Sequence, residues 1–150
     1  MNKKDPSKDQ TVRAWMNSPD YHVTPSTPLD DAFASMRRED VRHLLVMDQD
    51  QLLGVVTDRD LRRPETGGKL WSFQDMYFIG DGLRVSDVMT REVITVSGDD
   101  STAYAARVMV TNKINCLPVV QGETVVGILT SSDLLAALVH TVDPDGAAGS

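Results

Sequence analysis

The stretch GVVTDRD at residues 54–60 returns as GILTSSD at residues 127–133. Each copy is a glycine, two aliphatic residues, a threonine, two variable positions and an aspartate. Working outward from this pair, residues 12–61 align with 85–134 without a gap at one constant offset, residue 85 on residue 12. The matches run along the whole length: Val12 with Val85, Met16 with Met89, Val23 with Val96, Ala32 with Ala105, Met36 with Met109, Leu44 with Leu117 and Val46 with Val119. Two copies are too few for a solenoid, which needs three or more stacked units. A pair packed about a pseudo-twofold axis is expected instead, because neither copy alone has enough core.

Within each copy the hydrophobic period changes in the same order. A helix-like turn (VRAWM, VSDVM) precedes a short strand (YHV, VITV). A polar turn of Ser, Thr or Asp is then expected to cap an amphipathic helix. Its apolar positions are Leu29, Ala32, Phe33 and Met36 in one copy, and Thr102, Ala105, Ala106 and Met109 in the other, the i, i+3, i+4, i+7 spacing of a helix. Two apolar runs follow as a hairpin, HLLVM with LLGVV around DQDQ, and CLPVV with VVGIL around QGE. A last helix opens at the threonine of the quoted phrase. The unit reads βαββα, and the fold class is α/β, of the α+β kind.

The expected organisation is an N-terminal tail (1–10), a first repeat (11–63), an inter-repeat segment (64–84), a second repeat (85–140) and a C-terminal tail (141–150). Between Leu70 and Ile79 the inter-repeat segment is too apolar and aromatic for a free linker. It is expected to pack over the module or at a subunit contact; a lid over an aromatic ligand is the sharper alternative.

Composition narrows the function. Fifteen Lys and Arg stand against 22 Asp and Glu, a formal net charge of −7, so the basic footprint of a nucleic-acid binder is missing. No apolar run approaches the ~20 residues of a membrane span, and MNKKDPSKDQ lacks the apolar core of a signal peptide. A single cysteine, Cys116, forms no internal disulfide, which fits a reducing cytoplasm. His22, His43 and His140 have no metal-ligand spacing, and no nucleophile–base pair stands out. Neither a catalytic nor a metal site is therefore expected, and the chain reads as no enzyme.

Taken singly, Thr-x-x-Asp is a capping box that only starts a helix. Its recurrence after a glycine-bearing apolar strand places it at a strand-to-helix turn in both copies. Such a turn offers backbone N–H groups and the positive end of a helix dipole to phosphate. The aspartate one turn inside can accept two hydrogen bonds from a ribose diol. Together these parts match the needs of one nucleotide.

Residues 12–139 resemble a tandem pair of CBS domains, the modules named for cystathionine β-synthase. The likeness rests on the two Gly-h-h-Thr-x-x-Asp phrases, on LPVV at 117–120, on VSDVMT at 85–90 and on SSDLLAALV at 131–139. DVMTREVITV and the inter-repeat segment also resemble stand-alone bacterial CBS proteins of the acetoin-utilisation type, with no appended domain such as theirs expected.

The resemblance implies two clefts for adenosine-containing ligands (AMP, ADP or ATP, with S-adenosylmethionine and NAD as alternatives). One would use Thr57, Asp60, His43 and Leu44, with Arg59 inside its own phrase and Arg62 and Arg63 soon after. The other would use Thr130, Ser132, Asp133, Cys116 and Leu117. Thr95 would face the adenine at Asp60, and His22 would take the matching place at Asp133, where the family commonly has threonine. Arg42 and His43 would reach phosphate at Asp133. His43 would add charge near its ordinary pKa of roughly 6.5, so binding there is expected to tighten as pH falls from about 7.5 to 6. Mg²⁺ is implied only as the companion of a polyphosphate. A homodimer and an unknown regulated partner are implied, with no nucleic acid and no membrane. The competing reading is a CBS pair that binds no ligand and holds subunits together.

Overall fold

The computed structural model describes residues 10–60 and 82–146. The aromatic segment 70–79, Arg62 and Arg63, and the helix expected to continue beyond Asp60 lie outside the described residues, as do most of the N-terminal tail and the last four residues. The elements are α1 (Val12–Trp15), β1 (His22–Val23), α2 (Leu29–Arg38), β2 (His43–Asp48), β3 (Gln51–Thr57), α3 (Val85–Val88), β4 (Val96–Ser97), α4 (Thr102–Asn112), β5 (Cys116–Gln121), β6 (Thr124–Thr130) and α5 (Ser131–Val142). The architecture is the expected α+β mixture, with a three-stranded sheet in each repeat, ordered β1-β2-β3 and β4-β5-β6. The last helix runs to Val142, two residues into the stretch read as tail.

The chain divides into two compact units, residues 20–93 and residues 1–19 with 94–150. Each unit therefore takes its sheet and long helix from one repeat and its opening helix from the other. In the first, β1 pairs parallel with β2 and β2 antiparallel with β3. Leu29, Ala32 and Met36 on α2 meet Leu44, Val46 and Val56 of the sheet, and Val85 of α3 and Met89 just after it complete the core. The second unit repeats this plan. Ala105 and Met109 on α4 pack with Leu117, Val119 and Leu129, and the core is completed by Val12 of α1. Backbone bonds fix the opening helices in matching ways: Val85 N donates to Thr27 O (2.9 Å) and Ser86 N to Pro25 O (2.9 Å), while Val12 N donates to Asp100 O (2.8 Å) and Arg13 N to Gly98 O (3.0 Å).

The glycine of the quoted phrase is where these segments pass. Val55 and Thr90 exchange two backbone bonds (3.0 and 2.9 Å), as do Asn17 and Ile128 (2.9 Å each). A Cβ on Gly54 would sit 2.6 Å from Thr90 O, and one on Gly127 would sit 2.8 Å from Asn17 O and 2.6 Å from Met16 Sδ. Only glycine leaves room for a second backbone so close to the strand.

Local chemistry sets the remaining ends. Gln49 and Asp50 both take positive φ (48° and 66°), which suits the two-residue hairpin between β2 and β3. Helices α2 and α4 both end on a left-handed residue, Asp40 and Lys113, after which Val41 N and Ile114 N donate back to the carbonyls of Met36 and Met109. At the other end, Ser101 caps α4 by accepting from Tyr104 N. The polar cap expected on α2 is not formed. Its N-cap is Pro28, without a side-chain hydrogen bond, and the Leu29 N–H donates instead to Leu83 O at 3.0 Å. The carbonyl of a residue far along the chain satisfies the helix end, and local sequence does not carry that signal.

Candidate functional site: two Thr-x-x-Asp turns

Each unit brings the quoted phrase beside the start of its central strand. His43 and Thr57 are partners across the β2–β3 ladder, and Cys116 and Thr130 across β5–β6. Asp58 N donates to Arg42 O (3.0 Å), and Ser131 N to Asn115 O (2.9 Å). The two turns are thus anchored to the central strand in the same way.

In the first, Thr57 N donates to Asp60 Oδ2 (2.9 Å) and Asp60 N donates to Thr57 Oγ1 (3.2 Å). In the second, Thr130 N donates to Asp133 Oδ2 (2.8 Å), and Asp133 N to Thr130 Oγ1 (3.4 Å). The Thr130 hydroxyl also donates to the same Oδ2 at 2.9 Å. The second phrase is therefore a reciprocal capping box at the start of α5, the plainer of the two readings open from sequence, and the first makes the same pair of backbone-to-side-chain bonds. A carboxylate offers about four acceptor positions on two oxygens, so capping by itself does not exhaust it.

The turns differ in surroundings. Asp60 is buried at 7% exposure, whereas Asp133 is half-buried. Asp133 also has a neighbour that sequence reading missed. Asn17, just after α1, places Nδ2 3.0 Å from each carboxylate oxygen. The repeat alignment sets Asn17 opposite Thr90, so the departure was visible in the sequence. Its meaning was not, because contact with Asp133 needs α1 to join the second unit.

The other candidate residues take definite places. Leu44 and Leu117 are fully buried in the cores, so each presents only backbone at the turn. Cys116 is buried, Arg42, Arg59 and Ser132 are exposed, and Thr57 and Thr130 are half-buried. His22 is exposed on β1 and borders a recess of about 120 Å³ with Tyr21, Ser35, Arg38, Glu39 and Leu44, below the ~300 Å³ at which small-molecule pockets begin. Thr95 is exposed just before β4 and belongs to the unit of Asp133, while His22, Arg42 and His43 belong to that of Asp60.

His43 requires a correction. Burial pushes its imidazole below the ordinary value of 6.5, aided by the nearby Arg42 charge and only partly opposed by Asp58 and Asp60. It stays neutral further into the acid range than the sequence suggested, because a charged ring would lose hydration at this half-buried place. The environment of His43 therefore disfavours its charged form, against the expectation of a ring charged near its ordinary value.

Among the described residues no cluster of three or more His, Cys, Asp or Glu could hold a metal ion, and no helix is long and apolar enough to cross a membrane.

Two small sheets, each with a helix packed on it and a Thr-x-x-Asp turn at the end of its last strand, define a duplicated α+β module. The chain belongs to the CBS domain family, whose model matches residues 12–64 and 85–140. It is 32% identical over 116 residues to an inosine-5'-monophosphate dehydrogenase of Thermoplasma acidophilum, across 77% of this chain, and spans only 21% of that protein's length. It is 29% identical over 136 residues to a CBS domain-containing protein of Dictyostelium discoideum, covering 89% of this chain and 94% of the other. The solved structure of Arabidopsis thaliana CBSX2 in complex with AMP matches with a TM-score of 0.72 at 29% identity, over 89% of this chain and 98% of that one.

Proposed function

We propose that this chain is a non-catalytic, cytoplasmic regulatory module that senses an adenosine-containing nucleotide, AMP, ADP or ATP before S-adenosylmethionine or NAD. The observation that carries the reading is the duplicated turn. Two aspartates, Asp60 and Asp133, stand at equivalent places after an apolar strand, and each accepts the N–H of the threonine three residues before it and donates its own N–H to that threonine's hydroxyl. The AMP complex of the similar CBSX2 supports the adenosine class.

In this reading Asp60 and Asp133 accept ribose hydroxyls, while the backbone at Leu44 and Leu117 faces the base. Thr57, Thr130 and Ser132 line the turns, Thr95 and His22 stand near adenine, and Arg42 and Arg59 are the cations for phosphate. Mg²⁺ enters only with a polyphosphate ligand. Binding favours one conformation of the chain, which a second copy or a regulated partner reads by linkage.

A nucleoside monophosphate of about 23 non-hydrogen atoms at ~0.3 kcal/mol each gives roughly 7 kcal/mol, a Kd near 10 μM. Calorimetry and thermal shift against AMP, ADP, ATP, S-adenosylmethionine and NAD test this. Micromolar binding of one of them is expected. No binding of any below about 1 mM would leave the scaffold reading in its place.

A further inference from the structure

We propose that Asn17 is an internal competitor for the Asp133 carboxylate, occupying the acceptor positions that a ribose diol needs. The inference rests on the ribose reading above and deepens it. Oδ2 already receives the Thr130 N–H and O–H at 2.8 and 2.9 Å, and Asn17 Nδ2 lies 3.0 Å from both Oδ1 and Oδ2. With about two lone-pair positions per oxygen, Oδ2 is filled and Oδ1 keeps one place. One hydroxyl can dock there, but a vicinal diol, which needs both Oδ1 positions because Thr130 fills Oδ2, finds the second held by Asn17.

The backbone of Asn17 cannot yield, because two 2.9 Å bonds tie it to Ile128 against the notch at Gly127. Its side chain is exposed and can rotate away. The aligned residue in the other repeat is Thr90, whose single hydroxyl hydrogen cannot span two carboxylate oxygens. Thr90 therefore does not repeat at Asp60 the part Asn17 takes at Asp133.

The test is calorimetry with AMP and 2′-deoxy-AMP on Asn17→Ala and Asn17→Thr in an Asp60→Ala chain, which isolates the Asp133 turn. Circular dichroism checks that each variant is folded. AMP should bind about tenfold more tightly once the hydrogen bond to a charged acceptor no longer has to be broken. The deoxynucleotide, with one hydroxyl for the open position, should change by less than about twofold. AMP binding that is unchanged or weaker, or both nucleotides tightening alike, overturns the competitor role, even if Asp133→Ala abolishes AMP binding and so upholds the ribose reading. If Asp133→Ala in the same Asp60→Ala chain leaves AMP binding intact, or if no variant binds AMP to 1 mM, the ribose reading of the Asp133 turn falls and the competitor role falls with it.

Discussion

Gly54→Ala tests the packing of an opening helix against the other repeat's sheet. The added methyl would stand 2.6 Å from Thr90 O and 3.2 Å from Met89 Sδ. The methionine can rotate, but the carbonyl oxygen belongs to a backbone held by two bonds to Val55. Restoring an ordinary contact requires a shift of about 1 Å. Overpacking of this kind costs about 1–3 kcal/mol, and the two strained backbone bonds are worth about 1 kcal/mol each. Alanine recovers about 0.4–1 kcal/mol by restricting the unfolded chain. The net expectation is a loss of about 2–4 kcal/mol, read as a lowered urea midpoint by far-UV circular dichroism. Gly122→Ala is the control: its φ of 61° strains an alanine, but nothing lies within 4 Å, so it should cost about 1 kcal/mol. An unchanged or raised midpoint for Gly54→Ala would mean that only the entropy term operates, and the close passage of Thr90 would be wrong.

Gly127→Ala should lose a similar amount, since Asn17 O lies 2.8 Å from the added methyl; equality with wild type would remove that notch. Asp60→Ala and Asp133→Ala should each cost about 1 kcal/mol of stability from the broken capping box, and on the proposed function about ten- to hundredfold in nucleotide affinity. Stability loss with full binding would reduce both turns to helix starts. His43 should titrate below 6.5 by NMR, because burial depresses it. Its folded pKa lies below its unfolded one, so its contribution to stability is complete above about 6.5 and is lost as pH falls toward the depressed value. A midpoint at or above 6.5 would refute the burial effect.

Features that repeat over short range were legible in the order of the amino acids. The i, i+3, i+4, i+7 spacing of Leu29, Ala32, Phe33 and Met36 placed α2, and the apolar runs around DQDQ and QGE placed both hairpins. The repeated phrase located the two capped turns, because capping depends on residues three apart. Tertiary structure alone decided which opening helix serves which sheet, since the contacts joining Asn17 to Ile128 and Val85 to Thr27 span dozens of residues and leave no local period. That exchange explains why the phrase begins with glycine, why Leu83 rather than a polar side chain closes the start of α2, and why Asn17 meets Asp133. It also set the downward shift of the His43 pKa, because a pKa follows the burial around a ring and not its place in the chain.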